Sequence, residues 1–235
     1  MSTKPRIRRS KEIRIQEILC AARQIFTQKG YADTAMADIA SKVGVVEGAI
    51  YRHFESKRDL LNRVLMDFYA DTIEDIHKRL PGIEGVRNRL YFLIWRHFAA
   101  FAEDPGYFWL LLREVRPDKG LYGSAIRDCN RRYTAFMLQV LEEGVRKGEF
   151  RTDMSPLAVR DMIYGGIEHI MWRHHLSGTS VDVTLEADAL TDMIIRGIVS
   201  QAVPVEIVKG LTCHLSGPVG RLELAAEESE NKDTR

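Results

Sequence analysis

Cysteine is scarce in this chain: 235 residues hold three, Cys20, Cys129 and Cys213, widely spaced and in no short paired motif. That excludes a disulfide-stapled scaffold and predicts reduced thiols in the cytoplasm, with a redox-sensing thiol as the alternative. Long apolar runs are also missing, so no segment has the roughly 20 residues a membrane-spanning helix needs, and no membrane partner is expected. There is no internal repeat, no low-complexity linker and no strand-rich stretch before Pro204. The opening Lys4-Pro5-Arg6-Ile7-Arg8-Arg9-Ser10-Lys11 lacks the apolar centre of a secretory signal. Net charge is nearly absent, 34 basic against 33 acidic residues, and by itself points to no partner. Catalytic signatures are equally thin. Gly165-Gly166 is no phosphate loop, and there is no nucleophile elbow, kinase signature or Cys and His of catalytic spacing. His169, His174 and His175 do not lie one helical turn apart, as zinc ligands on a helix do, so they read as packed or solvated side chains. Neither a metal nor a cofactor is expected.

What the chain does have is polarity along its length. The first sixty residues carry twelve Lys and Arg against seven Asp and Glu, a balance of +5, and the remainder 22 against 26, a balance of −4. Such asymmetry suits attachment of one end to a polyanion. Ile18, Ala22, Ile25 and Phe26 recur at helical spacing between Ser10 and Gln28, with Gly30 as a stop. Thr34 is placed to cap a second helix through Met36, Ile39, Ala40 and Val43, and Gly44 supplies a tight turn. A third helix then starts near Val46. Its Val45, Ile50 and Phe54 turn inward, leaving Glu47, Gly48, Ala49, Tyr51, Arg52 and His53 on or near the surface. Ser56 followed by Asp59 reads as a capping box opening a fourth helix through Leu60, Leu61, Val64, Leu65 and Phe68. Two short helices around a tight turn read as a helix-turn-helix, whose second helix enters the DNA major groove. The basic arm before it is suited to phosphates or a minor groove.

Gly30-Tyr31, Thr34, Met36, Ile39-Ala40, Gly44-Val45, Gly48-Ala49-Ile50-Tyr51, His53-Phe54 and Ser56-Lys57, in this register, resemble the DNA-binding domain of TetR-type transcriptional regulators. The resemblance implies a homodimer on a palindromic operator, acting as a repressor and released when a small molecule occupies the C-terminal domain. Carried over by motif position, Thr34, Tyr51, His53 and Lys57 are expected at phosphates, and Glu47, Gly48, Ala49 and Arg52 at the groove, where Glu accepts from cytosine and Arg donates to guanine. Plainer readings stand beside these: Glu47 suits the positive end of a helix, and Tyr51 or His53 can be packing groups. Two positions depart from the family pattern. Val46 stands where a hydroxyl or polar residue is frequent, and Ala35 where Ser or Thr is frequent, which removes a helix cap and a phosphate contact.

The remaining chain reads as all-α. With 45% hydrophobic residues there is material for a second helical core. Helical patterns run from Leu60 to Leu80, Val86 to Ala102, Tyr107 to Val115, Ser124 to Lys147, Pro156 to Leu176 and Leu185 to Val203, broken at Pro81-Gly82, Asp104-Pro105-Gly106, Pro117 to Gly120, Gly148 and Ser177-Gly178. Aromatic residues crowd the middle helices and are suited to lining a cavity, although such stripes also build ordinary cores. The residues expected at a ligand are Phe68, Trp95, Phe98, Trp109, Arg113, Tyr133, Met137, Glu168 and Trp172. Arg96, His97, Glu114, Arg132 and His169 are further polar groups available to orient one. The stretch from Gly148 to Ile170 is similar to the fatty acyl-CoA-responsive branch, which implies a fatty acyl-CoA or another hydrophobic compound as effector. Helices through Ile163–Ile170 and Leu190–Ile198 carry small residues at Gly165, Gly166 and Gly197; by pattern alone they suit an intramolecular core equally well, and the resemblance implies that they pair across a two-fold axis.

The expected organisation is therefore residues 1–56 as arm and three-helix helix-turn-helix domain, 57–203 as helical ligand-binding and dimerisation domain, and 204–235 as a partly disordered tail. The expected role is a DNA-binding transcriptional regulator, not an enzyme. A helical ligand-binding protein or enzyme without DNA function, and an activator of the same fold, are the alternatives.

Overall fold

Ile18, Ala22, Ile25 and Phe26 lie on the buried side of the first helix, α1 (Lys11–Lys29), which stops where Gly30 adopts φ +84°. The computed structural model describes residues 11–115 and 125–200, together with two short strands at 213–214 and 223–224. Helix α2 (Met36–Val43) buries Met36, Ile39 and Ala40 and ends at Gly44 in the left-handed region, φ 72°. The Gly44 N–H donates to the Ser41 carbonyl and the Val45 N–H to that of Ala40, a paired closure that only a residue tolerating positive φ can make without strain. Helix α3 (Glu47–Ile50) is followed by a helical turn, the His53 and Phe54 N–H groups donating to the Ile50 carbonyl.

One local expectation is corrected. Thr34 does not cap α2, because its hydroxyl donates backwards to the Gly30 carbonyl at 2.7 Å. Ala35 takes the cap position, and its N–H donates to the Asp38 carboxylate at 3.1 Å. That bond, with the Lys29 ammonium at 3.1 Å, holds the Asp38 carboxyl below the usual carboxylate range. Val46, at the head of α3, has no side-chain cap, in line with its departure from the family pattern.

Helix α4 (Lys57–Arg79) opens at the expected Ser56 cap, whose Oγ accepts the Asp59 N–H at 3.0 Å, while the Asp59 carboxylate reaches one residue beyond the cap and accepts the Glu55 N–H at 2.9 Å. A 3₁₀ turn (Leu80–Gly82) leads to α5 (Val86–Glu103), α6 (Pro105–Leu110), α7 (Ala125–Arg146), α8 (Pro156–Ser177) and α9 (Val183–Ile198). The segment expected as one helix from Tyr107 to Val115 instead widens into a π turn over Leu111–Val115. The helix expected to reach Val203 stops at Ile198, because Val199 turns extended and bridges Phe150, while the Arg151 N–H donates to the Ile198 carbonyl at 2.8 Å. Phe150 is buried against Gly144 of α7, where no Cβ would fit. Burying such a ring contributes about 1.5–3 kcal/mol.

α1 packs against α2, α4 and α6, and α5 runs through the second half against α7, α8 and α9. Because neighbours surround it, α5 is buried at Phe92, Leu93, Ile94, His97, Phe98 and Phe101, nearly all round its circumference. The described residues up to Val199 form one unit, and those beyond it belong to a second. In the second, Cys213–His214 pairs antiparallel with Glu223–Leu224, a short ladder that the helical reading does not contain. The basic arm, the break at Pro117 to Gly120 and the charged end of the tail lie outside the described residues.

Candidate functional site

The exposed face of α3 is built by what faces the other way. Ile50 and Phe54 are buried against the head's core, and that anchoring turns Glu47, Gly48, Tyr51 and Arg52 to solvent, with Ala49 and His53 half-buried. The spacing of 47, 48, 51 and 52 places a carboxylate, a bare backbone, a phenol and a guanidinium on one helix face. A Cβ on Gly48 would meet nothing within 4 Å, so nothing inside the fold requires a glycine there. One His53 ring nitrogen, Nδ1, is buried without a hydrogen-bond partner among the described residues.

Thr34 and Lys57 have their donors engaged inside the head. Thr34 is 2% exposed, with its hydroxyl donated to Gly30. Lys57 Nζ donates to the carbonyls of Tyr31 at 2.8 Å, Ala32 at 3.3 Å and Thr34 at 2.8 Å, and lies 4.5 Å from the centre of the Tyr31 ring. An ammonium has three N–H donors, and all three are used. Lys57 thus clamps the turn that carries α2. Lys57→Ala should strip that clamp from three carbonyls, at about 1–3 kcal/mol, and weaken DNA binding through a disordered head. Thermal melting checks this, and an unchanged melting point refutes the clamp.

In the second half, a cavity of about 310 Å³ opens between α4, α5, α7 and α8. Phe68, Tyr69 and Thr72 line it from α4; His97, Ala100 and Phe101 from α5; Asn130, Tyr133 and Thr134 from α7; Arg160, Asp161, Tyr164, Gly165 and Glu168 from α8; and Leu111 from the π turn. The cavity brings together Phe68, Tyr133 and Glu168 of the expected ligand residues. Phe98 and Met137 are buried in the core and do not line it, and Trp95 lies under the Arg79 guanidinium. Trp109 and Trp172 meet edge to face at 4.7 Å, with His175 against Trp109 and Arg113 over it, away from this cavity. Gly165, expected at a helix–helix contact, also lines this cavity.

Sequence reasoning passed over Asn130, Thr72, Arg160 and Asp161, and offered His97 only as one of several polar groups able to orient a ligand. Tyr133 Oη and His97 Nδ1 are 2.6 Å apart, and the Tyr69 hydroxyl donates to Asn130 Oδ1 at 3.2 Å. Burial pushes the phenols of Tyr133 and Tyr164 upward, so both stay protonated near neutral pH.

From the cavity a chain of contacts reaches α1. Phe68 stacks on Tyr107 at 3.7 Å, and the Tyr107 hydroxyl donates to the Leu65 carbonyl at 2.9 Å. Next to Tyr107, Gly106 lies so close to Thr27 of α1 that an added Cβ would stand 2.5 Å from the threonine Cβ. Arg23 of α1 is paired with Asp104 at 2.9 Å, and Arg58 of α4 donates to the Glu114 carbonyl in the π turn at 3.1 Å.

The family model for bacterial regulatory proteins of the tetR family matches residues 18–64, and that for the C-terminal region of YsiA-like proteins matches residues 66–197. The chain belongs to the tetR family of bacterial regulatory proteins. It is a DNA-binding transcriptional regulator with a helix-turn-helix head and a helical C-terminal domain. The regulator is 22% identical over 190 residues to the Fatty acid metabolism regulator protein of Bacillus subtilis (strain 168), covering 81% of this chain and 98% of that one. It is 26% identical over 163 residues to the transcriptional repressor KstR2 of Mycobacterium tuberculosis (strain H37Rv), covering 66% and 76%. The fold matches that of FadR from Bacillus subtilis, solved in complex with stearoyl-CoA, with TM-score 0.71, 23% identity and coverage of 78% and 98%. Among the described residues no helix is long and apolar enough to cross a membrane.

Proposed function

We propose that this regulator is a homodimeric cytoplasmic repressor, without catalytic activity, that holds a palindromic operator through α3 and lets go when an acyl-type effector, such as a fatty acyl-CoA, enters the α4–α8 cavity. The observation that carries the reading is the continuous path from that cavity through Phe68, Tyr107 and Gly106 to α1 of the DNA-binding head. An effector pressing on Phe68 and Leu111 bears on α6 and the π turn, which touch α1 and α4. It releases DNA only if it prefers the arrangement with displaced recognition helices, since equal binding to both shifts nothing. A coupling of about 1–3 kcal/mol lowers operator affinity roughly 5- to 150-fold. The division at 1–56, 57–203 and 204–235 follows this separation of roles.

On the DNA, Arg52 and Glu47 are the base-reading pair and Tyr51 and His53 the backbone contacts, with Gly48 and Ala49 allowing α3 to sit deep in the groove. Thr34 and Lys57 hold the head rather than the phosphates. Selection of bound duplexes from a random pool tests the reading: it should return two inverted half-sites about one helical turn, roughly 34–36 Å, apart. With Arg52→Ala the favoured site should lose about 1–3 kcal/mol of discrimination at one base pair per half-site. A pool with no inverted symmetry sinks the dimer reading, and an unchanged base preference removes Arg52 from it.

A further inference from the structure

A cavity meant for a saturated chain has little use for hydroxyls on its wall. Here α7 and α8 present Tyr133, Thr134, Asn130 and Tyr164 to the same space in which α4 and α5 present Phe68 and Phe101. The His97–Tyr133 pair is the most deeply set of the polar groups: His97 is one of four buried polar or charged residues among those described. It is packed edge-on by Phe101 and Tyr164, each at 4.7 Å, with the Tyr133 ring at 5.6 Å. Aromatic rings on three sides fix the imidazole where it stands.

The bond between the two leaves a free valence whichever way the proton lies. If Tyr133 donates to Nδ1, its oxygen keeps a lone pair to accept from a ligand hydroxyl. If Nδ1 carries the proton and donates to the phenol oxygen, the Tyr133 O–H is left to donate to a ligand oxygen. An alkyl chain would displace water from these groups and give them nothing in return, which weakens its binding for each polar group left bare. Size points the same way. At about 310 Å³ the cavity stands at the small end of the roughly 300–1,000 Å³ usual for ligand sites.

We infer that the acyl group this cavity selects is compact and carries an oxygen at its buried end, a hydroxyaryl or similar oxygenated acyl group, read by the Tyr133–His97 pair. The inference rests on the acyl-effector reading of the cavity proposed above. Three thioesters separate the two ideas: p-coumaroyl-CoA, cinnamoyl-CoA, which differs from it only by the phenol hydroxyl, and stearoyl-CoA. Titration calorimetry on the full-length dimer should show p-coumaroyl-CoA binding about tenfold more tightly than cinnamoyl-CoA, and stearoyl-CoA the most weakly. Tyr133→Phe should erase the difference between the first two, weakening p-coumaroyl-CoA severalfold by removing its partner and relieving cinnamoyl-CoA of an unmet phenol. His97→Gln provides a second variant with the same expected loss of preference. If cinnamoyl-CoA binds as well as p-coumaroyl-CoA, or stearoyl-CoA binds best, the oxygen-reading subsite is wrong and the acyl-effector reading stands. If none of the three binds, the effector class itself is wrong, and the subsite goes with it.

Discussion

Glutamate at both Met162 and Met193 is expected to leave a folded monomer whose operator affinity is lower by roughly two to four orders of magnitude, the gain that linking two half-site contacts supplies. Met162 on α8 and Met193 on α9 are 68% and 66% exposed, and Leu157, Trp172, Leu176 and Leu185 on the same two helices are also open to solvent. Apolar surface gathered in this way marks an interaction face. Each side chain that a partner subunit covers is worth about 1.5–3 kcal/mol, whereas a carboxylate forced into that seam must be desolvated without a partner. Gly197, with open space where a Cβ would stand, is expected to let a partner helix approach closely. Because neither methionine is buried in its own chain, each subunit should keep its helical fold, with a melting temperature lowered only by loss of the partner. Light scattering reports the mass and a titrated operator shift the affinity; a dimer of unaltered affinity would move the two-fold interface elsewhere.

Gly106→Val should have the second large effect, because it strikes where the two halves touch. A Cβ there stands 2.5 Å from the Thr27 Cβ and 3.0 Å from the Thr27 carbonyl oxygen, and helix backbone cannot step aside as a flexible side chain can. Overpacking of this kind costs about 1–3 kcal/mol, and in a domain of this size each kcal/mol lowers the melting temperature by roughly 2–4 °C. α6 must back away from α1, so operator affinity should change although no DNA-facing residue has been touched. Thr27→Gly in the same chain removes the obstructing Cβ and should return part of both losses, a coupling that a double-mutant cycle measures. Additive losses in the pair would show that the two residues do not press on each other.

The head was legible because its determinants are local. Gly44 needs positive φ, Ser56 caps the Asp59 N–H, and Ile50 and Phe54 face one way and Glu47, Tyr51 and Arg52 the other; each is decided by a few neighbours in sequence. Lys57 was not legible, since its three carbonyl partners lie 23 to 26 residues earlier and no pattern joins them. The cavity was half legible for a related reason. Aromatic density located the right helices, but on α5 apolar residues occupy nearly every direction, so periodicity could not separate Phe101, which lines the cavity, from Phe98, which fills the core. Trp172 sits on α8, which also serves the cavity, and Trp109 on α6, just before the lining residue Leu111, yet the two rings meet away from it. Asn130, Arg160 and Asp161 look in sequence like any solvated helix face, and only the spacing of α7 and α8 reveals them.

That α1 shares its buried side with α4 has a practical bearing on anyone wishing to excise the head as a miniature reagent. Cut after residue 56, the fragment would lose Leu60, Leu61, Val64 and Leu65 from the core they share with Ile18 and Phe26, and the Lys57 clamp with them. A portable version must therefore keep the opening turns of α4.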